Sequence, residues 1–268
     1  MPNHGSVFNE RSIQRMDSKM IWSDIIRQAN NLCVINPRLQ AYLKHKILAY
    51  ENLSDALVGH LADILQTDLS REILFNWFSE IIAIHPEIAE QADADISRLV
   101  NMNPACPDHL TAFLSFRGVL ALQAYRFAHA IWVDGDIQSA VLLQNWISKA
   151  WDIDIHPAAR LGQGLFIDHG INIVIGETAV VEDNVSIWHG VTLGSTLNEA
   201  GDRHPKIRQG ALICAGATIL GNIEVGQNAI VAANAVVLKP VPASCVVAGS
   251  PARQVGLTPS NLATFKTN

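Results

Sequence analysis

Up to about residue 150, apolar residues recur at helical spacing. In the stretch from Asp68 to Pro86, Leu69, Ile73, Leu74, Trp77, Phe78, Ile81 and Ile82 form one wide stripe. Asp68 is placed to cap that helix and Pro86 to stop it. A second long pattern runs from Leu110 to Trp132 and halts at Asp134-Gly135-Asp136, a turn signal. Shorter helical patterns fit residues 19–33, 38–50, 54–66, 87–100 and 137–150. The first half therefore reads as an all-helical domain.

From Ile155 the beat changes to six. Units opened by Ile155, Leu161, Ile167, Ile173, Ala179, Val185 and Val191 follow one another, each continued by small or turn-forming residues. The phase breaks after Gly194 and resumes at Ile207, Ile213, Ile219, Val225, Val231 and Val237. Neither a helix nor plain strand alternation produces this period. It predicts a left-handed parallel β-helix of hexapeptide repeats, a three-faced prism with about 18 residues per circuit and stacked aliphatics inside. The interruption becomes an external loop, 194–206. The fold class is α+β: an N-terminal all-helical domain followed by the β-helix. The predicted division is a disordered N-terminus at 1–18, a helical domain at 19–150, the β-helix at 151–256 and a short tail at 257–268.

A chain of 268 residues and this apolar content can bury a substantial core. The net charge of −6 gives no basic stripe for a nucleic-acid partner. The four cysteines, Cys33, Cys106, Cys214 and Cys245, are scattered, with no metal-ligand spacing and no CxxC pair. No signal peptide opens the chain, and no run approaches the roughly 18 apolar residues that span a bilayer. The expectation is a cytoplasmic protein with no membrane partner, no metal and reduced thiols.

A prism filled by its own aliphatics leaves chemistry to its edges, its inserted loop and the clefts between neighbouring chains. His169 follows Asp168 and lies 15 residues after Asp154, three short of a full circuit. The spacing brings Asp154 and His169 to successive layers of one edge. There a carboxylate can fix the imidazole tautomer and support the cation formed when the ring accepts a proton. The loop carries a second cluster, Asp202, Arg203, His204, Lys206 and Arg208, in which an arginine can clamp a carboxylate. His156, His189 and the remaining charges read first as ordinary surface.

Several motifs carry a resemblance. Asp154-Ile155-His156-Pro157-Ala158-Ala159, Asp168-His169, Gly176-Glu177-Thr178-Ala179, the loop Gly201 to Ile207 and Gly221 to Gly226 resemble serine O-acetyltransferases. So do Glu51-Asn52-Leu53 and Ala121 to Arg126 in the helical half, and the closing Ala248 to Arg253. The resemblance spans roughly residues 22–256. It implies transfer of the acetyl group of acetyl-CoA to the hydroxyl of L-serine, the entry to cysteine synthesis, with no tightly bound cofactor. It makes His169 the general base, Asp154 its orienting carboxylate and His204 an aid to the oxyanion. Asp168, Arg203, His204 and the position of Asn103 would hold serine. Gly194, Ser195, Thr196, Ala215, Ala233 and Arg253 would contact CoA. It further implies feedback inhibition by L-cysteine and a homotrimer, joined through the helical domains into a dimer of trimers.

The chain departs from the family pattern in four places. Asn103 stands where the bacterial enzymes have a serine-binding aspartate, which keeps homoserine open as the acceptor. Gly194-Ser195-Thr196-Leu197 replaces Gly-Gly-Thr-Gly, so the CoA loop takes another shape. Asn172 replaces a glycine, a mild change because asparagine tolerates left-handed backbone. The tail ends Phe265-Lys266-Thr267-Asn268 without a terminal Ile, so no complex with cysteine synthase is expected by that route. Two rivals of other classes are a zinc site of converging imidazoles and a catalytically silent scaffold.

Overall fold

The computed structural model describes residues 7–196 and 200–259, with the side chains of the first helix from Ile21 onward. That helix, α1, runs Val7–Ile35. It overlaps the segment 1–18 expected to be disordered. No Gly or Pro interrupts the chain between Val7 and Pro37, and among its described side chains Ile21, Ile25 and Ala29 enter the core. The expected 38–50 helix is instead three short turns: Pro37–Leu39, α2 (Gln40–Leu43) and a wide turn at Lys44–Leu48. Helix α3 (Leu53–Leu65) is capped by Asn52, which accepts from the Asp55 N–H at 2.9 Å.

Helix α4 (Arg71–Ile84) is capped by Ser70, not Asp68; the Ser70 hydroxyl accepts from the Ile73 N–H. Starting there turns Leu74, Phe78, Ile81 and Ile82 inward and leaves Leu69 outside the helix. Pro86 opens α5 (Glu87–Met102). The predicted 110–132 helix is two, α6 (His109–Ser115) and α7 (Arg117–Val133), divided at an extended Phe116. The break lets Gly118 approach the prism so closely that a Cβ there would lie 2.4 Å from the Ile167 carbonyl oxygen. After the turn at Gly135 (φ +94°), Asp136 caps α8 (Ile137–Trp151).

The second half is the predicted prism, a left-handed parallel β-helix. Its first face stacks β1 (Ile153–Ile155), β4 (Ile173–Ile175), β7 (Thr192–Gly194), β10 (Thr218–Leu220) and β13 (Val236–Val237). The second stacks β2 (Arg160–Leu161), β5 (Val180–Val181), β8 (Lys206–Ile207) and β11 (Glu224–Val225). The third stacks β3 (Phe166–Asp168), β6 (Ser186–Trp188), β9 (Leu212–Ile213), β12 (Ile230–Val231) and β14 (Cys245–Ala248). An antiparallel β15 (Arg253–Leu257) closes that face.

The register corrects the sequence frame. Ile167 pairs with Ile187, not with a residue 18 on, and Ile153 pairs with Ile173. The first circuit thus takes 20 positions, whereas Val174 to Thr192 takes 18. Two extra residues sit at the corner after Asp168. They stay hidden in the sequence because each face buries two residues, as with Ala179 and Val181 or Val185 and Ile187. A slip of two moves the frame from one aliphatic row to the other without breaking the beat. The later loop is plainer: Val180 pairs with Lys206, 26 positions on.

A buried polar knot joins the two halves. Asp95 on α5 is fully buried and accepts from Arg126 Nη2 (2.6 Å), Gln123 Nε2 and the Leu165 N–H. Arg126 in turn donates to the Gly162 carbonyl oxygen at 2.9 Å. Removing one partner of such a pair strands a buried charge, so α5 and α7 are held in fixed register on the first circuit. No helix among the described residues is long and apolar enough to cross a membrane.

Candidate active site

Two edges of the prism carry the predicted residues, one at each end of the first face. At the histidine edge, where the third face returns to the first, one corner column runs through Asp152, Asn172, Gly190, Gly216 and Asn234. Each takes left-handed backbone, Asn172 at φ +55° as its residue type permits. The two inserted positions push His169 out of this column. It too is left-handed (φ +55°), and its side chain is 70% exposed. A non-glycine, non-Asn/Asp residue held there is uncommon. Gly170 beneath it is packed against Ile153 and Gly118, so α7 buttresses the corner.

The His169 ring meets His189 edge-on, centroids 5.7 Å apart, and its Nε2 lies 3.8 Å from Asp168 Oδ2. It makes no hydrogen bond or ion pair with Asp154. Asp154 Oδ1 instead accepts from Gln144 Nε2 of α8 at 2.6 Å. The first circuit takes 20 positions rather than 18, so His169 stands five positions before Val174, the partner of Asp154. Ala215 and Ala233 stand on the same edge, in the column position of His189: Gly216 N–H donates to His189 and Asn234 N–H to Ala215. Asn103, the C-cap of α5, binds the Ala105 N–H through Oδ1, and α5 packs on β3. Arg253 is exposed on β15.

The loop edge, where the first face turns into the second, carries the other cluster. His204 is 6% exposed, and its Nδ1 receives the Thr178 N–H (3.2 Å) and faces Thr178 Oγ1 (2.9 Å). A ring nitrogen that accepts a backbone N–H is unprotonated in the neutral imidazole, so the proton sits on Nε2. Burial first, and then the nearby Arg203 guanidinium, push the His204 pKa below the ordinary histidine value and keep the ring neutral. The ring lies flat on Gly176; a Cβ there would fall 2.0 Å from Nε2. Thr178 Oγ1 also receives the N–H groups of Arg203 and His204, which pins the loop's return. Gly194 closes β7, and Thr196 leans on Gly221; Leu197 lies outside the described residues.

Arg203 is not free. Its Nη2 pairs with Glu177 Oε2 at 2.6 Å, and this guanidinium holds the Glu177 carboxyl below the usual carboxylate range. Lys206 is similarly engaged by Asp202 and by the Thr178 and His204 carbonyl oxygens. Gln144, Glu177 and Thr178 therefore shape the site without a role assigned from sequence. Glu177 and Thr178 were visible in a motif; nothing along the chain marked Gln144. Among the described residues no three His, Cys, Asp or Glu side chains converge as a metal site.

The two edges are not in contact within one chain. Asn172 and Gly176 lie at opposite ends of β4, and a strand's rise of about 3.3 Å per residue puts roughly 13 Å between them. The prism thus presents a histidine on one edge and a pinned imidazole and guanidinium on the other.

A family profile described as "Serine acetyltransferase, N-terminal" matches residues 21–124, and "Bacterial transferase hexapeptide (six repeats)" matches 204–239. A Schizosaccharomyces pombe protein provisionally named a serine acetyltransferase is 51% identical over 252 residues, 93% of each chain. The Escherichia coli K12 serine acetyltransferase is 44% identical over 89% of this chain and 88% of its own. The Vibrio cholerae serine acetyltransferase crystal structure superposes with a TM-score of 0.89 at 44% identity, covering 91% of this chain and 95% of that one. The Brucella abortus enzyme in complex with coenzyme A gives 0.86 at 45% identity, covering 89% and 96%. The soybean enzyme with serine gives 0.86 at 40%, covering 89% and 99%. The chain belongs to the serine acetyltransferase family.

Proposed function

We propose that this chain transfers the acetyl group of acetyl-CoA to L-serine, at a site built by two copies. The observation that carries the reading is that Asp154 stands on the first face, with Asp168 and His169 at one of its edges and Arg203 and His204 at the other, in a chain nearly co-extensive with enzymes solved with CoA and with serine. Three prisms arranged about an axis, first faces inward, bring the histidine edge of one copy against the loop edge of the next. Exposed Ile171 and Val174 on that face supply apolar contact. Exposed Ile137, Val141 and Leu142 on α8 fit the helical region, 19–150, as the element that pairs trimers.

In the closed site His169 takes the serine hydroxyl proton, with Asp154 turning to it from Gln144 and Asp168 near the ammonium. The serine oxygen attacks the thioester carbonyl, and the oxyanion receives the Nε2–H of the neighbouring copy's His204. The C–S bond then breaks, and His169 returns its proton to the CoA thiolate. Arg203 takes the serine carboxylate, exchanging or sharing Glu177. Asn103 offers an uncharged acceptor to the ammonium. CoA runs along Ala215 and Ala233 with Gly194, Ser195, Thr196 and Arg253 around it. L-cysteine differs from serine only by a thiol for the hydroxyl and would compete for the same pocket.

The test is thiol release from acetyl-CoA with serine and with homoserine; faster turnover of homoserine overturns the acceptor assignment. Co-assembly of His169→Ala with Arg203→Ala tests the shared site. Random mixing leaves about one site in four with both edges intact, so about a quarter of wild-type activity returns if edges come from different copies. No recovery means one chain supplies both.

A further inference from the structure

The prism's third edge, between the second and third faces, points away from the face that carries the proposed site. It holds a cavity of about 390 Å³ beneath α5, lined by Arg98, Asn184, Ser186, Gln209, Gln227 and Ser244 among others. Its wall contains amides, hydroxyls and one cation, and no Asp or Glu, although the chain as a whole is acidic.

Arg98 is the unusual member. Only its Nη2 is engaged, donating to the Asn184 carbonyl oxygen (2.7 Å) and reaching Ser186 Oγ (3.4 Å), both neutral. Its Nε is buried with no partner, and among the described residues no carboxylate pairs with it. Arg126, the other arginine at the domain junction, is by contrast compensated by Asp95. A partly buried guanidinium without an anion is costly, and burial alone lowers its pKa. The guanidinium fork matches a planar carboxylate or a phosphate better than any other partner. The amides of Gln209, Gln227 and Asn228 can donate to the same group, while Met102, Leu212 and Ile230 supply an apolar wall.

We propose that this cavity is a binding site for a small molecule bearing an oxyanion, carboxylate or phosphate, clamped by Arg98. Bound there, the anion bridges α5 to the edge residues of successive circuits and so ties the helical half to the prism. Anything that binds the folded state alone stabilises it by mass action.

The experiment titrates the full-length protein with sodium phosphate and, separately, sodium acetate, against sodium chloride at matched ionic strength. Thermal unfolding and calorimetric titration are the readouts. The expected result is a saturable rise in Tm of about 2–4 °C with one of the oxyanions, and one bound anion per chain. The responding salt tells a phosphate headgroup from a carboxylate. Arg98→Gln should abolish the response. Gln227→Glu, which puts a negative charge in the wall while keeping Arg98, should abolish it too and covers the case in which Arg98→Gln does not fold. A response equal to chloride, or one that survives in a folded variant, overturns the proposal.

Discussion

The two edges of the first face differ in how much of their chemistry is already set. At the loop edge each side chain has a partner: Thr178 fixes the His204 tautomer, Glu177 holds Arg203, and Gly176 makes room for the ring. At the histidine edge His169 is exposed, strained in its backbone and unpartnered by Asp154. One edge is organised in the single chain; the other acquires its order only when something packs against it. A group that must become a base in contact with substrate can stay open, whereas an oxyanion donor is useful only if fixed beforehand.

Four substitutions and titrations bear on that contrast, the largest effect first. His169→Ala should lower kcat by about 10²–10⁴-fold with assembly unchanged by light scattering, the loss expected if it is the proposed base. A loss below tenfold would mean that His189 or water serves equally well. Gly176→Ala should displace His204 and cost on the order of 10²-fold in kcat, the size expected for losing one oxyanion donor. His204→Ala should then add little on top of it, which a double-mutant comparison reads directly. Thr178→Val should cost about tenfold, because it removes one hydrogen bond to the ring and those to the Arg203 and His204 N–H groups. An equal loss on replacing Gln144 by Leu would instead make both edges preset.

The smallest effect is on stability against pH. The His204 pKa is lowered in the folded state, so between the ordinary histidine value and the folded one the unfolded chain binds more protons. The stabilisation from neutral His204 is full above about pH 6.5 and is lost as pH falls through the lower folded value. Comparing Tm against pH for the wild type and His204→Gln should show the two curves converging toward acid. Parallel curves would mean that the ring titrates as in the unfolded chain.

Much of the architecture was legible because its causes are local. The six-residue beat follows from which side chains point inward on each short face, and the helical half from stripes such as Leu74, Phe78 and Ile81. Where packing chose between local options the reading slipped: Ser70 took the cap from Asp68, and Phe116 broke one stripe into two so that Gly118 could reach Ile167. The frame shift after Asp168 was illegible because the two inward rows are both aliphatic. It changes the circuit length over which the Asp154 spacing was counted.

By itself the sequence determined the division into helices and prism, the inward rows, the place of the inserted loop and the candidate reactive side chains. Each depends on residues close together in the chain. Only the tertiary structure decided who meets whom: Gln144 with Asp154, Glu177 with Arg203, Thr178 with His204, and Arg98 with no carboxylate among the described residues. These pairings depend on circuit lengths and on helices crossing the prism. Two residues added at one corner turn every later contact along that edge, and no local period records such a turn.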